Sequence, residues 1–193
     1  GGSDVLLYAV GAAVIGGTSL FGGKGRVLDA VIGGAVLLIR LAGVTWSMAI
    51  AADDQNGKLE ALDRLPQGAK VVSLIGRECG REWAVPRNSH LPGMIMARRE
   101  GFSNDQWVIE GVNLLDLKYK QAGYFAADPS QLVRPNQCHD PLHRTIDQSL
   151  ASLPRDDFDY VWLIDAPPFD PSTVADMRAV WRGPGSILYQ TRP

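Results

Sequence analysis

Phe158-Asp159-Tyr160-Val161-Trp162-Leu163-Ile164-Asp165-Ala166-Pro167-Pro168 is the stretch from which the fold is read. Five consecutive apolar residues, Tyr160 to Ile164, stop abruptly at an aspartate and a Pro-Pro turn. A short continuous apolar run bounded by breakers is the pattern of a strand buried on both faces. An open parallel sheet collects its chemistry just beyond the carboxyl ends of such strands, so Asp165 is a candidate site residue.

Working outward, residues 143–153 (HRTIDQSLASL) predict a helix that Pro154 stops. Residues 171–180 predict a second helix with Ser172 or Thr173 placed to cap it, and Gly183-Pro184-Gly185 turns into a last strand over 186–189. Upstream, residues 69–75 (AKVVSLI) predict the first strand, ending at Gly76, and 94–98 predict another after the Pro92-Gly93 turn. Residues 58–65 carry apolar positions at helical spacing and stop at Pro66. Residues 101–107 and 124–136 read as loops, and 112–119 fit a strand or a helix equally. Strands alternating with helices predict an α/β fold, a three-layer sandwich with a mostly parallel sheet.

The 193-residue chain has a net charge of −2, without the basic excess of a nucleic-acid binder. Its charge is unevenly placed. Residues 1–52 hold only Asp4, Lys24, Arg26, Asp29 and Arg40, and almost all remaining polarity follows residue 52. The expected division is therefore an apolar, membrane-associated helical segment over 1–52 and a soluble α/β domain over 53–193. The sequence opens on Gly1, which reads as a fragment or processed chain, and no signal-peptide pattern is recognisable.

Residues 5–20 are almost wholly apolar or small, and a second apolar run extends from 27 to 52 with Arg40 near its middle. A bilayer span needs about 20 mostly apolar residues. A central arginine costs about 2.5–3.5 kcal/mol on insertion scales, while each Leu, Ile or Val returns about 0.3–0.6 kcal/mol. Val31, Ile32, Val36, Leu37, Leu38, Ile39, Leu41 and Val44 together roughly offset Arg40, so residues 27–52 are expected to form one helix that can enter a bilayer. Lys24 and Arg26 favour the cytoplasmic side, which would carry the following domain across the membrane.

The block AAVIGGTSLFGGKG at 12–25, followed by Val31-Ile32-Gly33-Gly34-Ala35, resembles the late membrane segment of ribose/xylose-type sugar ABC transporter permeases. The resemblance covers about residues 3–36 and is lost after Ala35. It implies a lipid bilayer and other membrane subunits as partners, yet one or two segments cannot form the helix bundle that transport requires. Leu65-Pro66-Gln67-Gly68-Ala69-Lys70-Val71, Pro86-Arg87-Asn88-Ser89-His90-Leu91, the 101–107 loop GFSNDQW and Phe158 to Leu163 resemble the C-terminal soluble domain of uncharacterised polytopic bacterial membrane proteins. That second resemblance covers about residues 37–193, and its plan is similar to membrane glycosyltransferases that use lipid-linked sugars. Together they imply an inner-membrane protein with a periplasmic domain, assembled like a fusion of two membrane-protein pieces.

Cys138-His139-Asp140-Pro141-Leu142-His143 packs a thiol and two imidazoles into six residues, with Cys79 and His90 elsewhere. A zinc site would want a second close pair, and Pro141 separates the histidines, so Cys138, His139 and His143 are weak metal candidates. A Cys79–Cys138 disulfide, which needs an oxidising compartment, is the expected reading, with free thiols as the alternative. Gly76-Arg77-Glu78-Cys79-Gly80 lacks the third glycine of a dinucleotide fingerprint, and no cofactor is expected. His90 with Arg87 could serve as general base or phosphate contact, against the plainer reading of a histidine satisfied by backbone. Asp165-Ala166-Pro167-Pro168-Phe169 is similar to the Asp-Pro-Pro-Tyr loop of amino-group methyltransferases, but an alanine intervenes and the plainer reading is a strand-end cap. Trp83, Trp107, Trp162 and Trp181 read as core or rim rather than a carbohydrate platform.

Three functions are carried forward. The preferred one is a non-catalytic extracytoplasmic domain accessory to glycan or lipid-linked sugar handling. The others are a permease remnant with a transport role and an α/β transferase with its site at Asp165.

Overall fold

The computed structural model describes residues 10–11, 27–80, 87–108, 111–112, 119–139 and 141–192. The first apolar run, the Lys24/Arg26 argument, Trp83 and most of 112–119 lie outside the described residues. The chain divides into two compact units, Gly1–Ala52 and Asp53–Pro193.

In the first unit, the expected helix over 27–52 is the body of α1 (Val27–Leu59), which runs 33 residues. At 1.5 Å per residue it is about 50 Å long, more than the roughly 30 Å hydrocarbon core of a bilayer. By length and composition it is able to cross a membrane. Most of its large apolar side chains are exposed, among them Val31, Ile32, Val36, Leu38, Ile39, Leu41, Val44, Trp46, Met48 and Ile50. The helix does not end at the expected division after residue 52; its last turns continue through the polar residues 53–57 to Leu59 inside the second unit. Leu59 then passes into a 3-10 turn, Glu60–Arg64, that buries Ala61 and Leu62.

The second unit is a mixed α/β domain on a six-stranded sheet. Its strands are β1 (Lys70–Gly76), β2 (Phe102–Ser103), β3 (Leu132–Val133), β4 (Tyr160–Ile164), β5 (Arg178–Gly183) and β6 (Ser186–Gln190). Their order is β2-β1-β4-β6-β5, with β3 also beside β1. The pairs at β1 are all parallel, whereas β4–β6 and β6–β5 are antiparallel. The sheet is thus parallel at its centre and closes in a C-terminal hairpin. The central strand lies where the sequence puts it, with Val72↔Val161 and Leu74↔Leu163 on one side and Val161↔Tyr189 on the other.

Because side chains alternate along a strand, β4 feeds two cores. Val161 and Leu163 join Val72, Leu74, Phe125, Ile146, Leu150 and Phe158 on one face. Trp162 and Ile164 join Leu59, Leu62, Val71, Ile75, Ile95 and Leu188 on the other. Trp162 is fully buried and its indole N–H donates to the Ser186 hydroxyl at 2.8 Å. Phe102, Tyr119, Phe125 and Phe158 pack edge-on or tilted, with ring centroids 5.1 to 6.4 Å apart.

β1 has an outer flank that no single strand covers. β2 pairs with Lys70 and Val71, and β3 with Ile75 and Gly76. Between them the buried Asn104 amide takes the place of a strand: it accepts from the Ser73 N–H at 2.8 Å and donates to the Ser73 carbonyl at 3.2 Å. The amide also donates to the Ser130 hydroxyl at 3.1 Å, so the loop of 101–107 is pinned at its buried end.

Several sequence expectations fail here. Residues 94–98 are not a strand but part of α2 (Gly93–Arg99), which buries Ile95 alone and leaves Arg98 and Arg99 in its last turn. A four-residue apolar run does not separate strand from helix by periodicity, and Pro92 sits readily at a helix start. Residues 171–180 are not one helix: a 3-10 turn, Pro171–Val174, capped by Asp170, gives way to the edge strand β5. Residues 124–136, read as loop, contain the end of a 3-10 segment, Lys120–Ala126, and β3; residues 101–107 contain β2. The helix expected over 143–153 is shorter, α3 (Ile146–Ala151), because the Thr145 hydroxyl and the Gln148 side chain form a capping box that sets its start.

Candidate functional site

Chemistry converges on Asp165, one residue past β4. Its N–H still donates to the Gly185 carbonyl at 2.6 Å, and the backbone then turns with φ 46. A left-handed backbone at a non-glycine residue costs about 1–2 kcal/mol, less for aspartate, and such outliers gather at functional sites. Two glycines clear the surrounding space. A Cβ on Gly76 would lie 1.9 Å from the Asp165 carbonyl oxygen, and one on Gly185, itself at φ +59, would lie 2.5 Å from Asp165 Oδ1.

The carboxylate is held by residues from distant parts of the chain. Lys58, in the last turn of α1, has a side chain only 2% exposed, and its ammonium lies 3.3 Å from Asp165 Oδ1. The same ammonium pairs with Asp54 one turn earlier. Asn88 donates to Asp165 Oδ2 at 2.8 Å, and Gln55 donates to the Arg87 carbonyl at 2.8 Å and towards Asn88 Oδ1 at 3.4 Å. The lysine is buried while both carboxylates stay near half exposed, 45% and 43%. A buried ammonium needs paired anions, and this arrangement supplies two without sealing either from solvent.

Beside Asp165 opens a cleft of about 420 Å³, lined by Leu163, Asp165, Ala166, Phe169, Arg182, Gly183, Gly185, Ser186 and Ile187. It lies where β4 ends and β6 begins, outside the sheet. Pockets of about 300–1,000 Å³ with apolar walls and a few polar groups are the usual form of small-molecule sites.

The other candidates separate. Arg87 reaches the Asp165 cluster through its backbone carbonyl. His90 is exposed and points its influence elsewhere, towards Asp105. Burial pushes the Asp105 carboxyl above its ordinary value, against the opposing pull of the Ser103 hydroxyl, which donates at 2.7 Å, and of His90. Cys79 and Cys138 form a disulfide with Cα atoms 6.0 Å apart. Cys138, His139 and His143 line a second cleft of about 440 Å³ with Asn136, Pro141, Thr145 and Gln148. With the Cys138 sulfur in a disulfide, its thiolate is not free for a metal, and among the described residues no group of three His, Cys, Asp or Glu side chains could hold one. Trp162 is core and Trp107 is exposed.

Sequence reasoning singled out Asp165 as a candidate; Lys58, Asp54, Asn88, Arg182 and Gly185, which the structure brings around it or into the same cleft, carried no comparable signal. Lys58 reads as an ordinary solvated cation at a helix end, and no spacing links it to a residue 107 positions later.

No family model matches the chain, and no solved structure matches it. A stretch of 30 residues is 60% identical to the D-allose transport system permease protein AlsC of Escherichia coli (strain K12). The match covers 16% of this chain and 9% of that permease, so the chain spans a small part of that relative's length.

Proposed function

We propose that this chain is a membrane-anchored protein whose α/β domain works on the extracytoplasmic side, as an accessory to the handling of glycans or lipid-linked sugars. The observation that carries the anchoring is the 33-residue helix α1, most of whose large apolar side chains between Val31 and Ile50 are exposed. Ten large apolar side chains left in water would be a heavy cost, about 1.5–3 kcal/mol for each that could otherwise be buried, and a bilayer removes it. The extracytoplasmic placement is supported by the Cys79–Cys138 disulfide, since such bonds persist in oxidising compartments.

The test is protease treatment of spheroplasts expressing the full chain with a C-terminal epitope. The epitope is expected to be lost from intact spheroplasts. An epitope digested only after lysis would place the domain in the cytoplasm and overturn the sidedness.

The 30-residue permease likeness supports a second reading, a transport role as one piece of a larger membrane assembly. Co-purification of a polytopic permease with the epitope-tagged chain from mild detergent would favour it.

A further inference from the structure

We propose that the cleft at the end of β4 binds a small zwitterion of the amino-acid class. Its ammonium would sit on Asp165, its carboxylate on Arg182, and an apolar side chain against Phe169 and Ile187.

Charge balance carries the argument. Asp54, Lys58 and Asp165 are joined in one cluster, two anions to one cation. The half-exposed Asp165 carboxylate has spare lone pairs, since Oδ1 meets Lys58 only at 3.3 Å and Oδ2 accepts a single bond from Asn88. One further cation at Asp165 brings that cluster to neutrality. The same cleft is lined by Arg182, whose guanidinium is engaged by no ion pair or side-chain hydrogen bond among the described residues. One anion there completes it. Arg182 pairs with Ile187, and Ile187 with Leu163, so the arginine lies two strands over from β4, about 10 Å across the sheet.

The two residues that line the cleft with charge are therefore of opposite sign, and Ala166, Phe169 and Ile187 add apolar surface to the same lining. A neutral polyol would leave both imbalances in place, and a simple anion or cation would correct only one. The space at Asp165 is kept open by Gly185, where any Cβ would fall 2.5 Å from Oδ1. The cleft, about 420 Å³, admits a ligand of this size with room for water.

The test is isothermal titration calorimetry on the full chain in lipid nanodiscs, with L-leucine and L-phenylalanine as probes. Saturable one-to-one binding is expected. L-leucinamide, which lacks the carboxylate, and N-acetyl-L-leucine, which lacks the ammonium, should each bind at least about tenfold more weakly, the loss of one charge-assisted contact. Asp165→Asn should weaken leucine by a similar factor and abolish the penalty for N-acetylation; Arg182→Gln should do the same for amidation. The ligand analogues test the idea on the unaltered chain, so a variant that folds poorly does not obscure it. No binding of either amino acid would overturn the proposal. So would equal binding of leucine and both analogues, or binding that both variants leave unchanged. Any of these failures would leave the membrane reading standing, which the spheroplast experiment addresses separately.

Discussion

Gly76→Ala should be among the most damaging single-methyl additions the domain can receive. A Cβ at this position would lie 1.9 Å from the Asp165 carbonyl oxygen, 2.9 Å from its carbonyl carbon and 3.0 Å from Pro167 Cδ. The first two are backbone atoms, so no rotamer change relieves them. The end of β4 would have to move away from the end of β1, where Ile75 and Ile164 are paired. Overpacking usually costs about 1–3 kcal/mol, and a rigid backbone-on-backbone overlap belongs at the top of that range, about 3 kcal/mol. For a domain of this size that lowers the melting temperature by about 10 °C. The control is Gly57→Ala, in α1, where nothing lies within 4 Å of the added Cβ. There alanine should stabilise by about 0.8 kcal/mol, the ordinary helix preference over glycine. Thermal unfolding followed by near-UV circular dichroism, which senses the packed Trp162, measures both. If Gly76→Ala melts within about 2 °C of the parent, the close approach of β1 to Asp165 is wrong, and with it the geometry of the site.

Other consequences are as direct. Reducing the Cys79–Cys138 disulfide, or replacing both cysteines by serine, opens a loop of sequence separation 59 and should cost about 4 kcal/mol in the chain-entropy model, read by urea denaturation. Asn104→Ala leaves the Ser73 N–H and carbonyl buried without their partner; at about 1–3 kcal/mol for each buried orphan, a loss of about 3 kcal/mol is expected in the same assay. Burial raises the Asp105 carboxyl, so the native state holds its proton to higher pH than the unfolded chain does. Its contribution is therefore fully present below the unfolded value near 3.8 and is lost as pH rises through the folded value. Asp105→Asn should flatten that part of the stability–pH curve, and an unchanged slope would refute the assignment.

How far the sequence revealed this architecture depended on how local the signal was. β4 was legible because a strand buried on both faces must be apolar at every position, and the Asp-Ala-Pro-Pro breaker marks its end in the chain itself. Asp165 inherited its address from that strand. The helix over 27–52 was legible for a similar reason, since a long, mostly apolar run with only Asp29 and Arg40 charged has few other fates. Residues 94–98 misled because Met94-Ile95-Met96-Ala97 satisfies both periodicities, and the tertiary context chose a helix that buries only Ile95. β5 was missed because it is an edge strand with no fully buried residue, no strict alternation of exposure and a register shift between Ala179 and Trp181, so its pattern is weak. The cluster around Asp165 was hidden for a different reason. Lys58, Asn88 and Gly185 meet it only after the sheet has formed, and a buried lysine looks like any other lysine in the chain. The left-handed turn at Asp165 was equally silent, because aspartate followed by alanine carries no obligatory signal for it.

The proposal that α1 anchors a domain able to fold in water without it has a direct test. Membranes from cells expressing the full chain, and the cell lysate from cells expressing residues 53–193, are to be extracted with alkaline carbonate and separated by ultracentrifugation. The full chain is predicted to stay with the membrane pellet, and residues 53–193, which keep Lys58, Leu59 and the whole sheet, to remain in the supernatant with a cooperative melt. Release of the full chain by carbonate, or a soluble full chain beside an aggregated 53–193, would contradict it.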